Sequence, residues 1–206
     1  MTVTITLILI GITSLISWLA WQNPKLLDAL IMWPPAVHKQ RQWYRLLSYG
    51  FVHANFQHLL FNMVTLFFFG RIIEDVITER IGAVGFVLFY LGGLLASILP
   101  SYGQHRDDPA YRSLGASGAV SAILFACILF QPWQMIYIFF AVPVPAILYA
   151  VLYTGYTIWA NLRGGDGVNH SAHLWGAAYG VAFVLVLRPE VLSLFFDRLL
   201  HPGFGG

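Results

Sequence analysis

Charge and thiols are scarce in this chain. Only 10% of its 206 residues are Asp, Glu, Lys or Arg, and Cys127 is the sole cysteine. A lone cysteine excludes an intrachain disulfide framework, and inside an apolar helix it reads as a small packing residue. A net charge of +2, with no dense basic cluster, gives no purchase for nucleic acid. The chain is instead apolar, 58% hydrophobic and 16% aromatic, with a mean hydropathy of +0.71. This is the composition of a polytopic, all-α membrane protein whose first partner is the lipid bilayer.

A helix needs about 20 mostly apolar residues to cross a hydrocarbon core about 30 Å thick. Six stretches qualify, running approximately over Val3–Trp21, Ala54–Ile73, Ile81–Leu99, Leu114–Phe130, Trp133–Tyr153 and Asn169–Leu187. The first lacks a basic n-region and a small-residue cleavage site, so it reads as a retained helix rather than a signal peptide. Between the first two, the segment Gln22–His53 carries Trp33, Lys39, Arg41, Trp43, Tyr44 and Arg45. Aromatic and basic side chains favour the headgroup zone, so this is expected to be an ordered interfacial loop. The remaining connections are Arg71–Arg80, Pro100–Ser113, Gln131-Pro132 and Thr154–Val168, the last ending in Gly164-Gly165-Asp166-Gly167. No internal repeat is visible. The expectation is one domain, 1–206, with a core over about 3–187 and a tail, 188–206, lying on the surface as a short amphipathic helix.

Polar side chains at membrane depth are costly and are functional candidates by default. Because the chain changes sides at each crossing, the second, fourth and sixth spans start from the same face. His58, Ser117 and His173 each lie about one turn into their helices, roughly 5 Å below that face, with Asn62 a turn further on. Ala172, Gly176 and Gly180 form a small-residue ridge on the sixth span; Gly118, Ala119, Ser121, Ala122 and Ala126 offer matching relief on the fourth. Close packing of those faces brings the Ser117 hydroxyl to the His173 imidazole.

A serine hydroxyl becomes a useful nucleophile when an adjacent base takes its proton, and neutral histidine suits that role near pH 7. The Ser117 N–H, His58 and Asn62 are then candidate oxyanion donors. No carboxylate shares their depth. Asp166, in a glycine loop, is a poor orienter of His173, which leaves a dyad rather than a triad. His170 and His173 with His58 also invite a metal reading. Without a carboxylate or cysteine it is incomplete, and it ignores Gly115-Ala116-Ser117-Gly118, so neither metal nor other cofactor is expected. His53 is expected to be structural, and Glu74 to pair with Arg71 or Arg80 at a helix end. Gly82 and Gly85 are expected to serve close packing or a turn.

Taken together, His58-Leu59-Leu60-Phe61-Asn62, Gly70, Glu74, Gly115-Ala116-Ser117-Gly118 and Ala172-His173 with Gly176 and Gly180 resemble the rhomboid intramembrane serine proteases over nearly the full length. Trp43, Arg45 and His53 are similar to that family's first loop. The resemblance implies a six-helix bundle with Ser117 as nucleophile, His173 as base, and His58 and Asn62 at the oxyanion hole. It also implies a water-filled cavity open to the non-cytoplasmic side and capped by the loop before the sixth span. The implied substrates are membrane-anchored proteins cut in or near a transmembrane segment, and the implied compartment is a bacterial inner membrane. The alternative is an inactive rhomboid-like protein that binds transmembrane segments without cutting them.

Two departures stand out. Family members often carry an aromatic four positions after the nucleophile, able to stack on the imidazole. Here that position is Ser121, which assigns the task to Phe125 or Trp175. Three before the histidine stands His170, where a smaller polar residue is common. Charge also argues against the implied orientation. With the amino terminus inside, Arg71, Arg80, Arg188 and Arg198 are inner, while Lys25, Lys39, Arg41, Arg45, Arg106, Arg112 and Arg163 are outer, and the positive-inside rule alone favours the reverse.

Overall fold

The computed structural model describes residues 4–202 apart from 139–140 and 166. Helix α1 (Ile5–Gln22) is followed by three short helices, α2 (Pro24–Leu30), α3 (Pro34–Gln40) and α4 (Arg45–Ser48), and a 3₁₀ turn at Tyr49–Phe51. Helix α5 (Phe56–Gln104), α6 (Ser117–Phe130), α7 (Ala146–Arg163), α8 (His170–Leu187) and α9 (Val191–Leu200) complete the bundle, with a hairpin β1 (Met135–Ile138) and β2 (Val142–Pro145) between α6 and α7.

By length and composition α1, α5 and α8 can cross a membrane, and α6 is a shorter apolar helix. The 49 residues of α5 rise about 74 Å, enough for two crossings. The break comes at Gly82, whose φ of 75° is a left-handed conformation open to glycine at no steric cost. Two limbs result, and they fold back on each other: His58 near the start of α5 and Ser101 near its end border the same cavity. With α1, α6, α7 and α8 they make the expected bundle of six spanning segments. Val84, Leu88, Leu162 and Val186 on its outside are 70%, 62%, 82% and 83% exposed, an arrangement that suits lipid rather than water.

Several boundaries differ from the expected ones. The fifth span does not cover Trp133–Tyr153. Pro143 and Pro145 cannot sit in a helix interior, so that stretch forms the hairpin, with Met135 opposite Pro145, and α7 begins only at Ala146. The connection expected over Thr154–Val168 is correspondingly helical as far as Arg163. Pro100, expected to open a loop, lies inside α5, where buried Ile98 and Ser101 hold the helix to Gln104. The expected start of the first span, Val3, lies outside the described residues.

Glu74 does not pair with Arg71 or Arg80. It is buried and accepts the N–H groups of Ile5 (2.7 Å) and Thr6 (2.9 Å), so a carboxylate closes the positive end of α1. Arg80 instead meets Glu190 at 2.9 Å, and Arg188 meets Glu79, fastening the start of α9 to the turn between the α5 limbs. The tail is the short helix expected, with Val191 buried and Leu192, Phe196 and Leu200 exposed.

The expected ridge is where α8 meets α6. A Cβ on Gly176 would lie 2.1 Å from the Gly118 carbonyl oxygen, and one on Gly180 would lie 2.0 Å from that of Ala122. Only glycine permits this approach. The matching increments, 176 to 180 and 118 to 122, run the two helices in the same direction from the same face.

Candidate active site

The first interfacial loop builds the floor on which the site rests. Arg45, 4% exposed, donates from Nε to Gln42 Oε1 (2.5 Å) and from Nη1 to the carbonyls of Asp28 (2.6 Å) and Ile31 (2.7 Å), so one guanidinium knots three turns of chain. Met32 and Ser113 exchange backbone hydrogen bonds at 3.0 and 3.2 Å, which lashes this loop to the segment leading to α6. Arg112 stacks 4.4 Å from the Trp33 ring, Arg106 donates to His38 Nε2 at 2.8 Å, and Lys39 pairs with Asp107 at 3.4 Å. Four of the seven basic residues expected on the outer side, Lys39, Arg45, Arg106 and Arg112, thus fasten loops together.

His53 locks the last step. The Ala116 N–H donates to its Nε2 at 3.2 Å, so Nδ1 carries the proton and donates to Ser17 Oγ at 3.0 Å, while that hydroxyl donates to the Phe51 carbonyl. Its buried ring thereby holds the peptide just before Ser117, the structural use expected of it. Gly115, with φ of 111°, donates its N–H to the Tyr49 carbonyl, and a Cβ there would lie 2.6 Å from His58 Cε1. The glycine therefore lets the His58 ring lie against the backbone that delivers the serine.

Ser117 is the first residue of α6, not one turn inside it. Its N–H consequently has no intrahelical acceptor. His173 lies in the first turn of α8, and its Nε2 stands 2.7 Å from Ser117 Oγ, a hydrogen-bond distance with the hydroxyl donating to a neutral imidazole. Both side chains are half-buried and reach a cavity of about 1120 Å³ that His58 and Asn62 also line. Asn62 is buried and donates one Nδ2 hydrogen to the His58 carbonyl at 2.9 Å, leaving the second amide hydrogen. His58 packs edge-on against His53, with centroids 4.9 Å apart. All four expected site residues therefore meet around one space. Asp166 lies outside the described residues.

Neither Phe125 nor Trp175 stacks on the imidazole. That position belongs to Tyr153 of α7, whose ring lies 6.2 Å from His173 at an interplanar angle of 26°. Its hydroxyl is 3.3 Å from Ser121 Oγ, at the position where an aromatic was missing. Phe125 instead tilts against Tyr153 at 5.9 Å, and Trp175 is 52% exposed on the outer face. The relation was hidden in the sequence because the aromatic and the position it substitutes for lie on different helices. His170 is buried and meets both Tyr156 and His173 edge-on. Tyr111 and Ser101, absent from the expected set, also line the cavity. Burial raises the Tyr111 phenol above its usual range and keeps it a neutral hydroxyl.

A rhomboid domain family model matches residues 40–190. The chain belongs to the rhomboid family. Among similar proteins of Arabidopsis thaliana, RHOMBOID-like protein 12, mitochondrial, is 34% identical over 68% of this chain and 45% of its own length. Rhomboid-like protein 11, chloroplastic, is 31% identical over 73% and 54%, and RHOMBOID-like protein 5 is 34% identical over 82% and 52%. The chain spans about half the length of these rhomboid relatives. Names that place two of them in organelles give no support to the expected bacterial inner membrane; what stands is a membrane protein.

Proposed function

We propose that this rhomboid is an intramembrane serine endopeptidase that hydrolyses peptide bonds in or near transmembrane segments of membrane-anchored proteins. The observation that carries the reading is the 2.7 Å approach of His173 Nε2 to Ser117 Oγ, between the apolar helices α6 and α8 and open to a cavity. A packing serine has no need of an imidazole at that depth.

In this mechanism Ser117 Oγ attacks the scissile carbonyl carbon as His173 Nε2 takes the hydroxyl proton. The Ser117 N–H, the His58 ring and the second Asn62 amide hydrogen are the donors for the oxyanion. Collapse expels the amine, which leaves with the proton held on His173. Water entering by the cavity then gives a proton to His173 and attacks the acyl carbon. Collapse breaks the bond to Ser117 Oγ, which takes the proton back from His173 as the new carboxyl end is released. Tyr153, rather than a carboxylate, steadies the imidazole.

The test is cleavage of a transmembrane reporter by purified protein in liposomes. Wild type should cut, and Ser117→Ala and His173→Ala should each lower the rate by at least about 1000-fold. A wild type that cuts no reporter, and whose Ser117 ignores a fluorophosphonate, would transfer the assignment to the non-cleaving binder.

A further inference from the structure

One side chain joins the turn that carries His173 to the loop that delivers Ser117. Asn169 caps α8, its Oδ1 accepting the Ala172 N–H at 3.0 Å. The same oxygen accepts the Ser101 hydroxyl, from the end of α5, at 3.1 Å. Its Nδ2 donates to the Tyr111 hydroxyl at 2.8 Å and to Ser113 Oγ at 3.3 Å. A carboxamide has two N–H donors and two acceptor lone pairs, so all of its capacity is used.

Capping a helix requires only the bond to Ala172. The other three reach two separate parts of the chain. Ser101 belongs to α5, and residues 111–113 lead directly through Gly115 to the nucleophile. The capped residue, Ala172, immediately precedes His173.

The turn is also held by Tyr153, which stacks on the His173 ring, and by buried His170, which meets Tyr156 edge-on. The ridge that seats α8 on α6 makes its tight contacts at Gly176 and Gly180, beyond His173 along the helix. The segment before α8 has left-handed backbone at Gly164, Gly165 and Gly167, each with open space around it. Neither feature sets the tilt of the first turn. The Tyr111 anchor, by contrast, is firm: its ring stacks on His105 at 4.0 Å and 10°. A misplacement of about 1 Å between reacting groups can cost about 100-fold in rate.

We propose that Asn169, through Tyr111 and Ser113, is a second positioning residue, beside Tyr153, that holds His173 against Ser117. The inference rests on the protease reading and adds to it a residue at the cavity wall that acts through the turn carrying His173.

The experiment compares wild type with Asn169→Ser and Tyr111→Phe in liposomes. Serine retains a cap acceptor but is too short to span to Tyr111 and Ser113, whereas Tyr111→Phe deletes one clamp bond and leaves the cap intact. The readouts are the rate of fluorophosphonate labelling at Ser117, kcat and KM on a transmembrane reporter, and the folded fraction. Labelling and kcat should fall together, about 10-fold or more for Asn169→Ser and about 3-fold for Tyr111→Phe, with KM within about 2-fold of wild type. Labelling at the wild-type rate per folded molecule in both variants, or a change confined to KM, would overturn the inference and leave the protease reading intact. A wild type unreactive at Ser117 would overturn both. If Asn169→Ser does not fold, Tyr111→Phe decides alone.

Discussion

At the scale of single residues, the site depends on partners that lie far apart in the chain. Ser117, His173, His58 and Asn62 could be found from depth and spacing alone, because polar side chains in an apolar chain are few and helix geometry sets their level. Tyr153 could not. Its ring takes the place beside His173 that a residue on α6 would otherwise hold, while its hydroxyl meets Ser121. Aromatic stacking contributes about 0.5–1.5 kcal/mol beyond burial. Tyr153→Ala should therefore lower kcat by up to about 10-fold, while Tyr153→Phe, which keeps the ring and loses the hydroxyl, should stay within about 3-fold. Reporter cleavage at saturating substrate checks this, and equal losses in the two variants would assign the effect to the hydroxyl instead. Glu74 teaches a related lesson. From sequence it is one member of a charged stretch with nearby arginines; in the fold it lies under the first turn of α1, whose N–H groups are better partners than an exposed guanidinium.

At the scale of elements, helix contacts follow the small residues and helix ends follow proline and glycine. The α6–α8 contact was legible because Gly176 and Gly180 recur on one face. The contact leaves no room for even a methyl group. Gly180→Ala would drive its Cβ into the Ala122 carbonyl, and that clash falls on backbone, which can yield only by separating the helices. We expect a loss of about 1–3 kcal/mol or more, measured as a lower midpoint of thermal unfolding in detergent, with cleavage reduced in step. Gly11→Ala on α1, where nothing lies within 4 Å, should leave cleavage unchanged and the midpoint no lower than that of wild type. The fifth span was misplaced because its apolar run was read for composition, although Pro143 and Pro145 already excluded a helix there. Gly82 was placed among packing or turn residues; its role is to break one long helix into two limbs.

For the whole molecule, the loop contacts bear on sidedness. The resemblance places the amino terminus inside, while a count of basic residues favours the reverse. The fold weakens the second argument: Arg45 is buried among carbonyls, and Arg106, Arg112 and Lys39 fasten the first loop to the segment before α6. Positions 104 and 197 are separated by α6, α7 and α8, an odd number of crossings. Cysteines introduced as Gln104→Cys and Asp197→Cys should therefore react with an impermeant maleimide from opposite sides of sealed vesicles, position 104 from the non-cytoplasmic side. Labelling of both from one side would refute the crossing count, and labelling of 104 from the cytoplasmic side would invert the topology. Buried Cys127 should give little background.

The amino-acid sequence by itself determined that this is a membrane bundle of six spanning segments and pointed to Ser117, His173, His58 and Asn62 as polar side chains that could meet at one site. Those properties depend on composition, on helical rise and on the cost of polar groups in hydrocarbon, all of which act locally along the chain. Only the tertiary structure decided which side chains serve them. Tyr153 against His173, His53 under Ala116, Glu74 on α1 and the four bonds of Asn169 each join residues on different elements. Whether such partners meet depends on the rotation and tilt of packed helices, and no local periodicity along the chain encodes those.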